Sequence, residues 1–507
     1  MVRSIRSVFS GGSRTPGALG VTVDYSDLQV PRYGIDFGEA GFLDASSYGL
    51  TLLERTTRED AKDKEWSFRT DVARDIALSG GDLELKFGGK VRLRTKRQDF
   101  IIDLFEDVDG GLTLADVLGS QTYSLADINP TPDLGAVRAF AAATPDSAFE
   151  RNDLESTFVS NNESFRAEED IYAGYVQGRY DTGSLRLIGG VRIEHTRQKT
   201  SGNRTELVEE GALVGGVPLP EDAVFITPVQ FERNYTNFLP SVNLRVNLAD
   251  NLVARVAGFR SLSRPGFGQV APRFVIEENE DNEREGEFGN PDLRPYKAWN
   301  FDATLEYYFS SQSVVQGGLF YKSITDFIVT SRQLDGSFAG IDFTEAFIPI
   351  NGDKAEVFGA EFSYSQAFTM LPAPFDGLLA NVNYTYTNAR GDVLGRRIPL
   401  PAASKHTANF VLGYEKGPVS LRAAASYRDE FLDELGDSAE QDRYVRPLFQ
   451  VDATAKYRIS RNFQLFFNVV NLNNASFTAF QNGPSQRRLL QFETYQRTFK
   501  FGATANF

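Results

Sequence analysis

The sequence predicts an all-β protein, a transmembrane antiparallel β-barrel of outer-membrane type with about sixteen strands. Three observations predict this class. Apolar and polar residues alternate with a period of two in one segment after another, down to the C-terminus. Most segments are about 10–14 residues long, which suits a tilted strand that crosses a bilayer in ~9–11 residues. The connections alternate between tight turns and long loops.

The segment WNFDATLEYYF (299–309) illustrates the alternation. Trp299, Phe301 and Leu305 share one parity, whereas Asp302 and Glu306 share the other. Successive side chains of a strand point to opposite faces, so such a segment lies between an apolar and a polar environment. The other segments of this kind are 48–57, 66–78, 83–95, 171–181, 184–197, 236–248, 252–263, 313–330, 355–368, 377–388, 405–415, 419–428, 449–459, 462–472 and 497–507.

The connections sort into two kinds. The short ones are 79–82, 181–184, 248–251, 310–312, 415–418 and 459–462, and they are rich in the Gly, Asp and Asn that tight turns need. The long ones are 98–170, 198–234, 264–298, 331–354, 389–404, 429–446 and 473–487. One rim of short turns and one of long loops is typical of outer-membrane barrels. A soluble sandwich or propeller is the alternative, but its strands are typically ~5–6 residues long.

Composition argues against two classes of protein, nucleic-acid-binding proteins and helical transporters. The chain has 507 residues, no cysteine, two histidines and a formal net charge of -15. This acidic balance argues against a nucleic-acid partner. Hydrophobic residues make up 41% of the chain. No apolar run approaches the ~20 residues that a spanning helix requires, which excludes a helical transporter.

Several phrases resemble the barrel of TonB-dependent outer-membrane receptors. They are NFLPSVNLRVNLADNLVARVAGFRSLSRPGF (237–267), FGNPDLRPYKAWNFDATLEYYF (288–309), GGLFYKSITDFI (317–328) and FFNVVNLNN (466–474), in the family's order. With the final strand, the resemblance covers roughly residues 66–507.

The resemblance implies TonB-energised uptake of a scarce nutrient (a siderophore, cobalamin or an oligosaccharide) across the outer membrane of a Gram-negative bacterium. It implies a 22-stranded barrel around a plug domain. It also implies that the last strand, with Phe499, Phe501 and Phe507, is the signal read by the barrel assembly machinery. Outer-membrane lipid, lipopolysaccharide and a small-molecule ligand would be the other partners.

The sequence departs from this family in three respects. About sixteen strands are fewer than 22, no stretch resembles the plug, and none resembles the segment that contacts TonB. We therefore expect a C-terminal fragment, or a chain begun at an internal Met, in which TonB acts only through the missing N-terminal part. Residues 1–47 are expected to be an irregular leader left from the upstream barrel, and 48–507 to be the barrel. Pairing between the first and last strands is expected to be absent or weak, and the lumen to hold no folded plug.

The sequence offers no catalytic, cofactor or metal motif. With no Cys and two His, a zinc cluster is not expected, and no nucleophile–base set indicates an enzyme. The acidic run EENEDNEREGE (277–287) could gather divalent cations. It lacks the ordered spacing of a calcium loop, so we interpret it as a solvated loop. Arg264 and Arg273, near the barrel mouth, are candidates for contact with an anionic ligand.

Two other functions remain as alternatives. One is a passive sixteen-stranded porin, which the strand count favours, and the other is a structural or adhesive surface barrel. The ordered phrases and the long loops favour the receptor. In either barrel the charged parity should face the wet lumen. We expect lipid contact by Phe301, Leu305, Phe449, Val451, Phe499 and Phe501, and lumen-facing positions for Asp302, Glu306, Asp452 and Lys456.

Overall fold

The computed structural model describes residues 4–11, 19–24, 32–120, 129–279, 281–436, 438–483 and 487–506. Among these residues, sixteen strands form the wall of one large sheet. In chain order they are β1 (Ser4–Gly11), β2 (Tyr48–Leu78), β3 (Gly81–Val108), β4 (Phe165–Asp181), β5 (Leu185–Val208), β6 (Ala223–Ala249), β7 (Leu252–Ser263), β8 (Tyr296–Ser310), β9 (Ser313–Thr325), β10 (Lys354–Ala367), β11 (Leu378–Val393), β12 (His406–Lys416), β13 (Val419–Arg428), β14 (Leu448–Arg458), β15 (Phe463–Val470) and β16 (Thr498–Ala505).

Each wall strand pairs antiparallel with the next one along the chain, from β1 with β2 to β15 with β16. The predicted fold class, an antiparallel outer-membrane type of sheet with about sixteen strands, is therefore confirmed. The registers of the described residues do not include one between β16 and either β1 or β2.

Most of the remaining elements lie in the long connections. The helices are α1 (Glu39–Leu43), α2 (Leu134–Ala143), α3 (Asp153–Asn162) and α4 (Phe267–Val270), with 3-10 turns at Ala45–Ser47, Leu114–Val117, Asp146–Ala148 and Phe375–Gly377. Within the described ranges, no helix combines the length and the apolar character that crossing a bilayer requires. The smaller strands are Gly20–Asp24, Arg32–Phe37, Phe149–Asn152, Leu213–Val214, Val217–Pro218, Phe274–Glu278, Arg284–Phe288, Ile328–Phe338, Ile341–Asn351, Arg396–Pro399, Phe431–Glu434, Arg443–Val445, Ser476–Gln481 and Arg488–Thr494.

The two faces of the wall differ as the alternation predicts. Phe301 on β8 is 52% exposed. It lies opposite Tyr321 on β9, which lies opposite Phe358 on β10, so apolar side chains form a row around the outside. On the other parity of β8, Glu306 is buried and accepts a hydrogen bond from Arg255 Nε at 2.7 Å. Leu305, Phe449, Phe499 and Phe501 are likewise exposed, while Asp302, Val451 and Asp452 are half-buried and Lys456 is exposed.

The segments 48–57 and 66–78, predicted as two strands, form one strand, β2. Several strands also extend well past their predicted ends. β2, β3, β5 and β6 have 31, 28, 24 and 27 residues, whereas β12 to β16 have only 8 to 11. The loops predicted at 98–170 and 198–234 are correspondingly shorter. Above the lipid both faces of a strand meet water, so apolar residues no longer alternate with polar ones. The sequence signal stops at the membrane surface although the strands continue.

Two further boundaries differ from the prediction. Part of the stretch 1–47, expected to be irregular, is regular, because β1 pairs with the start of β2 and Gly20–Asp24 pairs with Arg32–Phe37. The segment 313–330, expected to be one strand, is broken after β9, and the next strand begins at Ile328. Asp326 lies between them at φ 61°, a left-handed conformation that turns the chain.

Helix α3 covers the upper edge of β3. The pairing of β3 with β4 ends at Gln98 opposite Phe165. Beyond that point the N–H groups of Phe100, Ile102 and Leu104 donate to the hydroxyl oxygens of Ser164, Ser160 and Ser156, at 3.1, 2.9 and 2.9 Å. Helical residues four apart rise ~6 Å, and strand residues two apart rise ~6.6 Å. Ser156 and Ser160 on α3, and Ser164 just after its end, can therefore follow the edge, and we call this contact the serine ladder.

Candidate binding site

Two loop hairpins build a small sheet above the barrel mouth, which we call the rim sheet. The hairpin of Phe274–Glu278 and Arg284–Phe288 runs parallel to the top of β5 on one side. On its other side it runs parallel to Ile341–Asn351, which pairs with Ile328–Phe338. Backbone hydrogen bonds thus tie the loop after β7 to the wall at β5 and to the loop after β9.

An aromatic cluster holds the rim sheet together. Phe274 is buried, and its ring lies 6.1, 5.9 and 6.2 Å from the rings of Phe231, Phe288 and Phe338, in edge-on arrangements. Such pairs add ~0.5–1.5 kcal/mol each beyond the burial of apolar area. Ile341, Phe343 and Ile348 pack against the same rings. The rim sheet therefore has its own apolar core and can present fixed side chains.

A cavity of about 750 Å³ lies between the rim sheet and two neighbouring loops; we call it the rim cavity. Its lining comes from the loop after β7, the hairpin 328–351, Pro401 and the segment 433–435. The lining residues are Gly268, Gln269, Arg273, Glu287, Phe288, Gly289, Ile328, Val329, Thr330, Phe347, Pro349, Pro401, Asp433, Glu434 and Leu435. The walls are thus mainly apolar, with a few charged groups.

Among the residues described, some charged side chains of the rim cavity form ion pairs, and one does not. Arg273 Nη1 lies 3.1 Å from Glu163 Oε2, at the end of α3, and its Nη2 lies 3.9 Å from Glu287 Oε1. Asp433 Oδ2 accepts from Arg443 Nε at 2.9 Å. Within the part of the chain that the structure describes, the Glu434 side chain has no hydrogen-bond or ion-pair partner.

Arg264 lies outside the rim cavity, in a network of ion pairs on the inner side of the wall. Its Nη2 donates to Glu194 Oε2 at 2.7 Å and to Thr196 Oγ1 at 3.0 Å, and its Nε lies 3.6 Å from Glu169 Oε2. Glu169 also accepts from Arg92 at 2.5 Å. The Arg264 side chain is 16% exposed and does not line the rim cavity.

The two arginines singled out from the sequence are therefore not brought together. Arg273 lies in the wall of the rim cavity, and Arg264 cross-links wall strands. Contact of either with an anionic ligand stays a prediction.

Carboxylates crowd the upper rim beside the rim sheet. The pKa of Glu155, on α3, is raised by burial first and then by the negative charges of Glu106, Glu277 and Asp222. The pKa of Glu277 is also raised by burial, and further by Glu285 and Glu209. The acidic run 277–287 includes parts of both strands of the first rim hairpin rather than forming an open loop throughout. Within the ranges described, no group of three or more His, Asp or Glu side chains is placed to hold a metal ion.

The residues expected to form the assembly signal lie at the C-terminal strand. Phe499 and Phe501 are exposed on the outer face of β16, and the Phe499 ring lies 6.3 Å from that of Phe467 on β15. Phe507 falls outside the described residues. Recognition of this strand by the assembly machinery stays a prediction.

A scan against protein-family models matches residues 8–472 to the family described as "TonB dependent receptor-like, beta-barrel". The chain belongs to the TonB-dependent receptor family. Its members are receptors and transporters of the Gram-negative outer membrane that bind small-molecule ligands and TonB, and not enzymes. This membership favours a receptor over the porin alternative.

Solved structures of this family share the fold. The closed form of the ferric-catecholate import receptor Fiu from E. coli K12 has a TM-score of 0.55 and 14% identity, over 99% of this chain and 60% of that one. The ferric citrate transporter FecA has a TM-score of 0.53 and 13% identity, over 90% and 56% of the two chains. The ferric yersiniabactin uptake receptor FyuA from Yersinia pestis has a TM-score of 0.50 and 13% identity, over 91% and 57%.

These likenesses concern the fold alone. The chain spans 56–60% of the length of the three structures. A search of curated proteins found no match.

Most of the lining of the rim cavity was not foreseen from the sequence, because it comes from separate loops that no spacing connects. One signal was present in the phrase FGNPDL. Phe288 and Gly289 line the cavity. A Cβ on Gly289 would collide with the carbonyl oxygen of Ala271. Asn290 Nδ2 donates to the carbonyl oxygen of Pro349 at 2.9 Å, which ties the phrase to the second rim hairpin.

Proposed function

We propose that the protein is an outer-membrane receptor that captures a scarce small-molecule nutrient in the rim cavity for TonB-energised uptake. The observation that carries this proposal is the cavity itself. Its volume of about 750 Å³ falls within the ~300–1,000 Å³ of small-molecule sites. It lies among the loops above a barrel whose inner face is polar, as a capture site before a transport path would.

The lining supports capture of a ligand rather than passage of ions. Phe347 offers apolar surface, the buried side chains of Phe288, Val329 and Leu435 form the wall behind it, and Thr330 adds a hydroxyl group. Apolar walls with a few placed polar groups are the usual composition of small-molecule sites. A general diffusion channel needs no such partly apolar pocket.

The cargo class remains a siderophore, cobalamin or an oligosaccharide. Ferric chelates are the first to test, because the similar structures named above are described as ferric citrate, ferric-catecholate and ferric yersiniabactin receptors. The proposal includes residence in a lipopolysaccharide-containing outer membrane, insertion by the barrel assembly machinery, and coupling to TonB through the N-terminal part of the whole protein.

Ligand binding by the full chain in detergent tests the proposal. Ferric chelates, cobalamin and oligosaccharides would be titrated by calorimetry. One class should bind saturably, and Thr330→Trp should weaken that binding, because the indole takes up part of the cavity that the ligand would occupy. Leu334→Trp is the matched control on the same strand; Leu334 is exposed and does not line the cavity.

Transport would then be measured in cells as uptake of the ligand that binds, with and without TonB. Uptake that persists without TonB would contradict energy coupling. A steady ohmic conductance in planar bilayers, with no saturable binding of any class, would reject the receptor and restore the porin.

A further inference from the structure

The lining of the rim cavity carries an excess of negative charge. It contains one arginine, Arg273, and three carboxylates, Glu287, Asp433 and Glu434. Just behind the lining, Glu163 and Arg443 offset each other. A ligand in the cavity therefore meets an excess of two negative charges.

The arginines near the cavity already form ion pairs with carboxylates. Arg273 is closer to Glu163, at 3.1 Å, than to Glu287, at 3.9 Å. Arg443 is held by Asp433 at 2.9 Å. In the adjoining loops, Arg396 pairs with Asp442 at 2.6 Å and Arg294 with Asp326 at 2.7 Å. An anionic ligand would have to compete with these carboxylates for the guanidinium groups.

Two carboxylates of the lining are open to a ligand. The Glu287 side chain is 73% exposed. Glu434 is exposed and has no partner among the residues described. Charges in a concave site with low-dielectric walls focus the field toward the opening. The acidic upper rim around Glu277 and Glu285 extends the same sign outward.

We propose that the rim cavity selects its ligand by charge, admitting cationic or uncharged molecules and disfavouring polyanions. The selection acts on encounter as well as on binding, because a cleft of one sign raises the local concentration of the opposite sign. Its biological meaning rests on the proposed uptake function. If that function holds, polyanionic ferric chelates should bind less tightly than uncharged or cationic ligands.

The test measures the electrostatic field of the cavity without needing the ligand. The chain has no cysteine, so Thr330→Cys places a single thiol in the cavity wall. Its reaction rate would be measured with methanethiosulfonates that differ only in carrying a trimethylammonium or a sulfonate group. The ratio of the two rates, divided by the same ratio for free cysteine, cancels the reactivity of the thiol itself.

We expect the cationic reagent to be favoured about tenfold at low salt. The preference should fall toward about twofold at 1 M salt, where the Debye length is ~3 Å. Neutralising the two exposed carboxylates of the lining, by Glu287→Gln and Glu434→Gln, should remove most of this preference. Glu440→Gln is the matched control, since this exposed glutamate lies in the same loop as Glu434 but does not line the cavity.

A normalised ratio of one or below would overturn the proposal, and so would a ratio that the double substitution leaves unchanged. If Thr330→Cys does not fold, Gln269→Cys, in the part of the lining that the loop after β7 contributes, reports the same field. The result is independent of ligand binding. If the thiol rates show a cation-favouring field but none of the titrated ligands binds, only the uptake proposal is rejected. If the rates show no such field and a polyanion binds, only the charge selection is rejected.

Discussion

Replacing Ser156 by alanine tests how the serine ladder closes the edge of β3. The Ser156 side chain is fully buried; its Oγ accepts from the Leu104 N–H at 2.9 Å and lies 3.5 Å from the Leu104 carbonyl oxygen. Alanine removes the hydroxyl and leaves a buried N–H without its partner. Such a group costs ~1–3 kcal/mol. Because the ladder joins α3 to β3 locally, we expect the cost to appear as easier local opening.

Hydrogen exchange read by mass spectrometry measures that opening. At ~1.4 kcal/mol per factor of ten, the Leu104 amide should exchange about 5–150-fold faster in Ser156→Ala. Thr157→Ala is the control. Thr157 is exposed, and its hydroxyl donates to the Asp153 carbonyl oxygen of the same helix at 2.7 Å without touching β3. It should leave exchange in β3 unchanged.

The ladder also predicts where each effect falls. Ser160→Ala should speed hydrogen exchange most at the Ile102 amide, and Ser164→Ala should speed it most at the Phe100 amide. Equal exchange in Ser156→Ala and Thr157→Ala would refute the reasoning, since the strand edge would then be satisfied by something other than these hydroxyls.

Three other predictions concern the wall and the upper rim. Leu319→Arg, on the lipid face of β9 where Leu319 is 55% exposed, should cost ~2–4 kcal/mol in unfolding from lipid, and Gln316→Arg on the lumen face far less; equal costs would contradict the assigned faces. Arg264→Met removes one cation from this network but leaves Arg92 on Glu169 and Arg192 on Glu194, so denaturant unfolding should show a loss smaller than the ~3–5 kcal/mol of a fully broken buried pair, with a still smaller loss in Arg264→Lys. Because the pKa of Glu155 is raised, the folded state keeps a proton that the unfolded chain releases above about pH 4.5. The stability that the bound proton contributes is full below that pH and is lost as pH rises. Glu155→Gln should therefore flatten the fall in Tm between about pH 4.5 and 8, and an unchanged dependence of Tm on pH would count against this account.

The membrane-level part of the fold could be predicted because lipid and lumen impose opposite requirements on neighbouring residues. β8 and β14 show this: Phe301 and Phe449 share exposed, outward parities, while Glu306 and Asp452 lie on the other face. The tight turns were equally visible, since they need particular residues. Both signals are local in sequence, and both come from constraints that hold at every strand.

The upper part of the protein follows no such rule. The rim sheet pairs β5 with Phe274–Glu278 in parallel, across a long separation in sequence, and its core around Phe274 is held by contacts among different loops. Arg264 could be placed near the mouth from its position after β7, but its partners Glu169 and Glu194 are distant in the chain. Contacts of that kind are decided by three-dimensional packing, which periodicity does not record.

The unequal strand lengths give the molecule a tall side and a low side. β2 has 31 residues, which at ~3.3 Å per residue is a ribbon about 100 Å long. Even at a tilt of ~45° it stands far above a hydrocarbon layer ~30 Å thick. β12 to β16, at 8 to 11 residues, end near the membrane surface. A large molecule such as an antibody fragment therefore meets the β2–β3 ribbon on the tall side. On the other side it meets the small four-stranded sheet that the loops after β13 and β15 form beyond the short strands.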